Sequence, residues 1–481
     1  MKLQTAVVVG AGPNGLAAAV TLARQGIAVT VLEAADTIGG GTRTSDLTGD
    51  GLLHDHCSAV HPLAIGSPFL KEIDLGRYGL RWCRPEVDLA HPLDDGTAGA
   101  MLQSLPATAE LLGADGRRWT QLFGSISAGL DELLEDVMRP LTHVPSHPLR
   151  LARYGIPSLA PAAVVARLLR TPQARALFGG VAAHAFHPLE RPATAAIGLM
   201  LIAAGHRYGW AVAEGGSRSV ADAMAKALAE HGGTIETGVR VRSLAELPPA
   251  DAVLLDLAPG AVAEVCGDRL PPRVARAYRR WRHGPGAFKV DLAVEGGIPW
   301  TSEQCRRAGT VHLGGPWAEI AAAERAIHTG RMPERPFVLV GQQYLADPTR
   351  SVGDRYPVWS YAHVPHGYDG DATEAILAQF ERFAPGTRER IVGMCVRPTT
   401  ALAGYNANYV GGDIITGANT LRQVMMRPRL ALDPYRTGIP GVYICSAATP
   451  PGAGAHGMCG SNAAQSALRA ARRSSRGADH R

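Results

Sequence analysis

Residues able to bind or react gather at three places in this 481-residue chain. Near the start, Gly10-Ala11-Gly12-Pro13-Asn14-Gly15 spells G-x-G-x-x-G, with Glu33 following about twenty residues on. Glycines so spaced suit a pyrophosphate: Gly10 for a tight turn, Gly12 for close backbone approach, Gly15 for helix–strand packing. Glu33 can accept from ribose hydroxyls, and its charge repels a 2′-phosphate. Mid-chain, Lys289 lies in the apolar run Gly286-Ala287-Phe288-Lys289-Val290. A buried ammonium is costly unless paired, so it is either functional or a solvated strand-edge lysine. Toward the end, His456 stands in the loop Gly454-Ala455-His456-Gly457-Met458, beside a bound cofactor or as a supporting loop contact. Asp55 and His61 add an acid and an imidazole downstream of the first motif. A turn-stabilising role for Asp55 is open as well. No Ser/His/Asp order, paired carboxylate or metal-ligand spacing stands out, so no metal is expected.

The elements around these residues decide what they can do. Residues 5–9 read as a buried parallel strand, Leu16 to Gln25 as a helix stopped by Gly26, and Ile27 to Leu32 as a strand delivering Glu33, with Ala34 beside it. The βαβ context turns a weak six-residue pattern into a dinucleotide site, with a helix N-terminus facing the diphosphate. A second glycine-rich loop, Gly39-Gly40-Gly41-Thr42-Arg43, offers further N–H donors and a guanidinium to the same diphosphate. Asp251 to Asp256 reads as another buried strand, and Gly441 to Cys445 as one more. After Ala447, Gly452 to Gly457 spells G-x-G-x-x-G again, followed by an alanine-rich helix to about Arg472. Two prolines part that strand from its loop, and no strand and acid follow, so a second complete nucleotide-binding unit is excluded.

The paired glycine loops resemble those of glutathione-reductase-like FAD proteins, in particular the amine-oxidase and phytoene-desaturase branch. The segments 54–63, Lys289-Val290-Asp291, 309–314, 408–413 and the C-terminal loop are similar to the bacterial phytoene-dehydrogenase-like group. That group includes a mammalian protein named for a pyridine-nucleotide-disulphide oxidoreductase domain. The resemblance covers nearly the whole chain and implies an α/β fold, a glutathione-reductase-like Rossmann FAD-binding domain with a mixed α+β substrate domain. The FAD-binding parts are expected at 1–60, 214–284 and 406–470. A helical substrate part is expected at 61–213, a strand-rich one at 285–405, and a basic flexible tail at 471–481. By the same resemblance Val241 meets adenine through its backbone, and the last helix aims its N-terminus at the flavin pyrimidine. Lys289 holds a water at flavin N5, and Asp55 or His61 lies near the dimethylbenzene edge. Ser446 departs from the usual glycine. The implied activity is hydride abstraction from an apolar or cyclic substrate to form C=C or C=N. Alternatives are an amine oxidase using O2, an isomerase using reduced FAD, and a non-catalytic FAD-bearing partner.

Composition reads as that of an ordinary soluble globular protein: 46% hydrophobic and 19% charged residues, at a length that suits two or three lobes. The net charge of +5 arises largely in the last thirteen residues, where five arginines face Asp479. The near-neutral body argues against nucleic-acid binding. Seven scattered cysteines without a C-x-x-C pair fit a reducing, cytoplasmic setting and carry no redox dithiol. The apolar run Ala195 to Ala204 is far short of the ~20 residues needed to span a bilayer. Peripheral membrane contact stays open, as does the oligomeric state. The apolar helical part either packs its own core or lines a lipophilic tunnel.

Overall fold

The computed structural model describes residues 3–49, 51–140 and 142–478. Five parallel strands form one sheet in the order Val442–Ile444, Ala252–Leu255, Thr5–Val9, Ala28–Leu32, Thr234–Glu236. Ala6 to Val9 lie at its centre, all buried, as an uninterrupted apolar run covered on both faces requires. Helix Pro13–Ala23 packs against the last helix, Met458–Ala478. Their backbones meet so closely that a Cβ on Gly460 would lie 1.7 Å from the Asn14 carbonyl oxygen. The last helix runs past Arg472 to Ala478, so most of the segment expected as a flexible tail is helical. Residues 479–481 of that segment lie outside the described residues.

The second sheet has seven strands in the order Ile391–Arg397, Gly286–Glu295, Arg355–Val364, Val338–Gly341, Ala308–Leu313, Val87–Pro92, Ala98–Met101. Its pairings are antiparallel except Ala308–Leu313 with Val87–Pro92. The last two strands come from the segment expected to be helical. Val87 to Pro92 is buried throughout, so it lacks the alternation that would have marked a strand. Around this sheet stand helices drawn mainly from 105–208, among them Pro172–Ala183 and Ala195–Tyr208, the latter buried along most of its length. The fold is α/β, a Rossmann-like unit joined to a mixed α+β unit. All seven cysteines are free. Among the described residues no helix is long and apolar enough to cross a membrane.

Candidate active site

One cavity of about 1800 Å³ runs between the two sheets. A site for a single small ligand is roughly 300–1,000 Å³, so this one has room for a dinucleotide and a second molecule. At one end the walls are backbone. Gly10 turns the chain with φ +103°, and Gly12 opens helix Pro13–Ala23. A Cβ on Gly15 would fall 1.9 Å from the Gly10 carbonyl oxygen, so only hydrogen fits there. Gly15 is thus a packing glycine and does not line the cavity, whereas Gly10, Gly12, Pro13 and Asn14 do. The second loop is laced to the first: Gly39 N donates to the Ala11 carbonyl at 2.8 Å, and a Cβ on Gly40 would lie 3.0 Å from Gly12 Cα. Gly40, Gly41, Thr42 and Arg43 line the cavity beside them. Asn14 Oδ1 is buried there without a partner. Two abutting glycine loops and the free N–H groups of a helix N-terminus are what an extended dinucleotide diphosphate needs, so the residues present fit FAD.

Glu33 and Arg43 act on each other. Glu33 accepts from Ala11 N at 2.7 Å and Ala35 N at 2.9 Å, and Arg43 Nη2 approaches its Oε1 at 3.3 Å. Arg43 also donates through Nε and Nη2 to the Thr37 carbonyl and lies over the Tyr405 ring at 5.2 Å. The guanidinium expected on the diphosphate is therefore turned to the Glu33 side, because a nearby carboxylate and carbonyl compete for it. Ala34 and Val241 line the same end, the latter held by Val239 N donating to the Glu33 carbonyl at 2.8 Å.

A carboxylate absent from the sequence expectations completes this end. Asp256, at the tip of strand Ala252–Leu255, accepts from Gly15 N at 2.9 Å and lines the cavity. Burial, with Glu33 nearby, pushes its carboxyl up to about 7. Its signal was the apolar run ending in an acid, Leu254-Leu255-Asp256.

From the C-terminal loop, Ala447, Gly454 and His456 line the cavity; Gly457 and Met458 do not. A Cβ on Gly457 would meet Phe69 and Ala17 below 3 Å, so this glycine serves packing. Met458 N donates to His456 Nδ1 at 3.1 Å, and burial lowers that imidazole to about 4. Ser446 keeps a buried hydroxyl without a partner and stands outside the cavity wall.

The other end is built from side chains. Cross-strand register aligns Arg397, Lys289, Tyr361, Leu339 and His312 on one face of the seven-stranded sheet. The adjoining row holds Asp291, Trp359 and Thr310. Thr310, Leu339, Trp359 and Tyr361 form the floor of the cavity, and Ile197, Met200 and Leu201 of helix Ala195–Tyr208 line it as well. Trp359 and Tyr361 meet edge to face at 5.0 Å. His184 also lines this end, its Nε2 set 3.1 Å from His312 Nε2, and burial lowers it to about 3. These floor residues were not singled out from the sequence, although the alternation Trp359-Ser360-Tyr361-Ala362-His363 marks a one-sided strand.

Lys289 is 2% exposed, so it is not the solvated edge lysine that the strand context allowed. Its Nζ pairs with Asp291, whose other oxygen meets Arg397 Nη2 at 3.2 Å, and lies 5.2 Å from the Trp359 ring centre. Burial lowers it to about 8, against the opposing pull of Asp291. It stands behind the wall formed by Trp359 and Cys57 and does not line the cavity.

Asp55 and His61 require correction as reacting groups, since neither lines the cavity. Asp55 accepts from Thr44 Oγ1 at 2.6 Å, Ser217 N at 2.7 Å and Arg350 Nη1 at 2.6 Å. His61 Nε2 lies 2.8 Å from Ser217 Oγ. Arg350, 1% exposed, also reaches Asp347 and the Ala213 carbonyl. The acid and the imidazole are spent on a buried network that pins segments 44–61, 213–217 and 347–350 together.

A family profile described as an NAD(P)-binding Rossmann-like domain matches residues 8–68, the paired glycine loops. Over nearly the whole chain the sequence is similar to pyridine nucleotide-disulfide oxidoreductase domain-containing protein 2 of the rat, Rattus norvegicus. The two are 23% identical, with 96% of this chain and 93% of that protein covered. Among solved structures, an oxidoreductase from Methanosarcina mazei matches with a TM-score of 0.64 at 16% identity, covering 97% of this chain and 100% of that one. Putrescine oxidase with putrescine bound matches with a TM-score of 0.61 at 19% identity, covering 98% of each. The chain has the fold of these oxidoreductases. The matches span nearly the full length, so both sheets belong to the shared fold.

Proposed function

We propose that the chain is an FAD-dependent oxidoreductase that abstracts a hydride from an apolar or cyclic substrate, forming a C=C or C=N bond. The observation that carries this reading is one continuous cavity with two glycine loops at one end and an aromatic, aliphatic chamber at the other. The putrescine oxidase likeness and that to the rat relative, named for an oxidoreductase domain, support it. The boundaries expected above for the FAD-binding and substrate parts belong to the same proposal, with 61–213 contributing two strands as well as helices.

Bound FAD supplies the hydride acceptor. Gly10, Gly12, Asn14, Gly40, Gly41 and Thr42 hold its diphosphate; Glu33, Ala34 and Val241 hold the adenosine end; Ala447, Gly454 and His456 face the ring end. The substrate lies over Tyr361 and Leu339 beneath Ile197 and Met200, whose apolar surface excludes water from the reacting carbon. Lys289, held by Asp291, is a positioning residue that sets polarity behind Trp359 and Cys57. The edge-to-face pair Trp359 and Tyr361 favours one second reading, an amine substrate presented to the same chamber. Among the described residues Gly452 to Gly457 leads into helix Met458–Ala478 and forms no second complete Rossmann unit, so efficient reduction by NADH or NADPH is not expected.

The test is anaerobic bleaching of the purified flavoprotein against polyenes, cyclic hydrocarbons and lipophilic amines. Stoichiometric bleaching with loss of a polyene or cyclic compound supports the proposal, and bleaching by amines alone selects the second reading. Isomerisation of substrate only after prior flavin reduction, without net oxidation, would replace both.

A further inference from the structure

We propose that the mouth of the cavity is a docking surface for an anionic lipid bilayer, so that the chamber opens onto the membrane. Two segments far apart in sequence form this rim, and Thr142 Oγ1 donates to the Leu432 carbonyl at 3.0 Å to join them. Along them, large aliphatic side chains stand in solvent: Val144 at 89%, Leu149 at 78%, Ile156 at 73%, Leu430 at 79% and Leu432 at 89% exposed. Isolated exposed leucines need no explanation, but a contiguous apolar rim around an opening does. Ile156, Leu159 and Met425 are exposed and also line the cavity, which places the patch at its entrance.

Charge identifies the occupant. From 137 to 189 the chain has no Asp or Glu, and none from 414 to 432, while arginines recur through both. Arg139, Arg153 and Arg422 are exposed and pair with no carboxylate among the described residues. Glu132 and Glu135 pair with Arg150 and His147 at the edge of the patch, which leaves Arg139, Arg153 and Arg422 as its unpaired charge; aliphatic tips with such arginines are what an interface of acyl chains beneath anionic phosphates selects. A second copy of this chain fits less well, since a two-fold contact through this face sets arginine against arginine. No described helix can cross the bilayer, so the contact lies on its surface.

Docking does not rest on the proposed reaction; it supplies that reaction's lipophilic substrate with a route. The experiment therefore reads partition, not turnover. FAD-loaded protein is floated with phosphatidylcholine vesicles, and with vesicles in which about a third of the lipid is phosphatidylglycerol, at low and high salt. The expected result is co-flotation with the anionic vesicles, weakened by salt. Val144→Asp with Leu432→Asp, which alters neither the cavity lining nor the glycine loops, should lower it at least tenfold with flavin content unchanged. Arg153→Glu with Arg422→Glu should remove the preference for anionic lipid and provides an arm that leaves the aliphatic tips intact. Absence of wild-type flotation would overturn the proposal, as would flotation untouched by both pairs. So would a wild-type dimer in light scattering that the aspartates convert to monomer, since the patch would then be a contact between copies.

Discussion

The two ends of the cavity are made of different material. The dinucleotide end is built from backbone: glycines at 10, 12, 15 and 40, a helix N-terminus, and loops laced by main-chain hydrogen bonds. The chamber end is built from side chains that only cross-strand register brings together: Tyr361 and Leu339 line it, Lys289 and His312 stand beside them outside the lining, and the four sit on four different strands. Backbone sites depend on the absence of side chains, so they should fail by crowding. Register sites depend on ion pairs and packing behind the wall, so they should fail by loss of partners.

The largest effect expected is on the network fastening the ends together. Arg350→Ala strands Asp55 and Asp347 in the interior, which for a broken buried pair costs about 3–5 kcal/mol. Chemical denaturation should show that loss. A variant with normal stability but no turnover would return Asp55 to the reaction.

At the chamber end, Lys289→Met should slow the reductive half-reaction or reoxidation by roughly 10–10³-fold, the range for one positioned polar group in a dry site. Since Met leaves Asp291 with Arg397 alone, the comparison is best made in an Asp291→Asn background, with flavin content verified. Equal rates in both half-reactions would remove the lysine from the chemistry.

At the backbone end, Gly12→Val should weaken FAD by about one to two orders of magnitude, an overpacking cost of about 1–3 kcal/mol. A Cβ there already lies 3.0 Å from Asp256 Oδ2. Full flavin occupancy in that variant would refute the diphosphate assignment.

The finest probe is Asp256. Its folded carboxyl titrates at about 7, above the usual carboxylate range, so its contribution to stability is present at acid pH and is lost as pH rises through about 7. A bound diphosphate adds negative charge beside it and favours the protonated form further. FAD affinity should therefore fall above pH 7, by up to about tenfold per unit. Asp256→Asn, which still accepts from Gly15 N, should flatten that slope. Titrating FAD binding across pH in both proteins decides it, and a wild-type slope of zero would show that the carboxyl does not sense the diphosphate.

The sequence alone determined the dinucleotide end: the strand Thr5–Val9, the glycine spacing, Glu33, and the reading of Gly452 to Gly457 as a loop rather than a second nucleotide unit. These are local features, since the βαβ unit makes its contacts within a few tens of residues and glycine is demanded by backbone geometry that neighbours in sequence impose. The chamber was not legible in this way. Lys289 could be marked as unusual, but whether it was buried and what held it depended on Asp291 and on Arg397, from a different strand. Asp55 and His61 showed the right chemistry and the wrong place, because a buried acid looks the same in sequence whether it faces a substrate or Arg350. Val87 to Pro92 was hidden by burial on both faces, which removes the alternation that identifies a strand. Only the tertiary structure decided these points: register and ion pairing between segments hundreds of residues apart are set by how two sheets and a helical lobe enclose one cavity, and no local pattern encodes that closure.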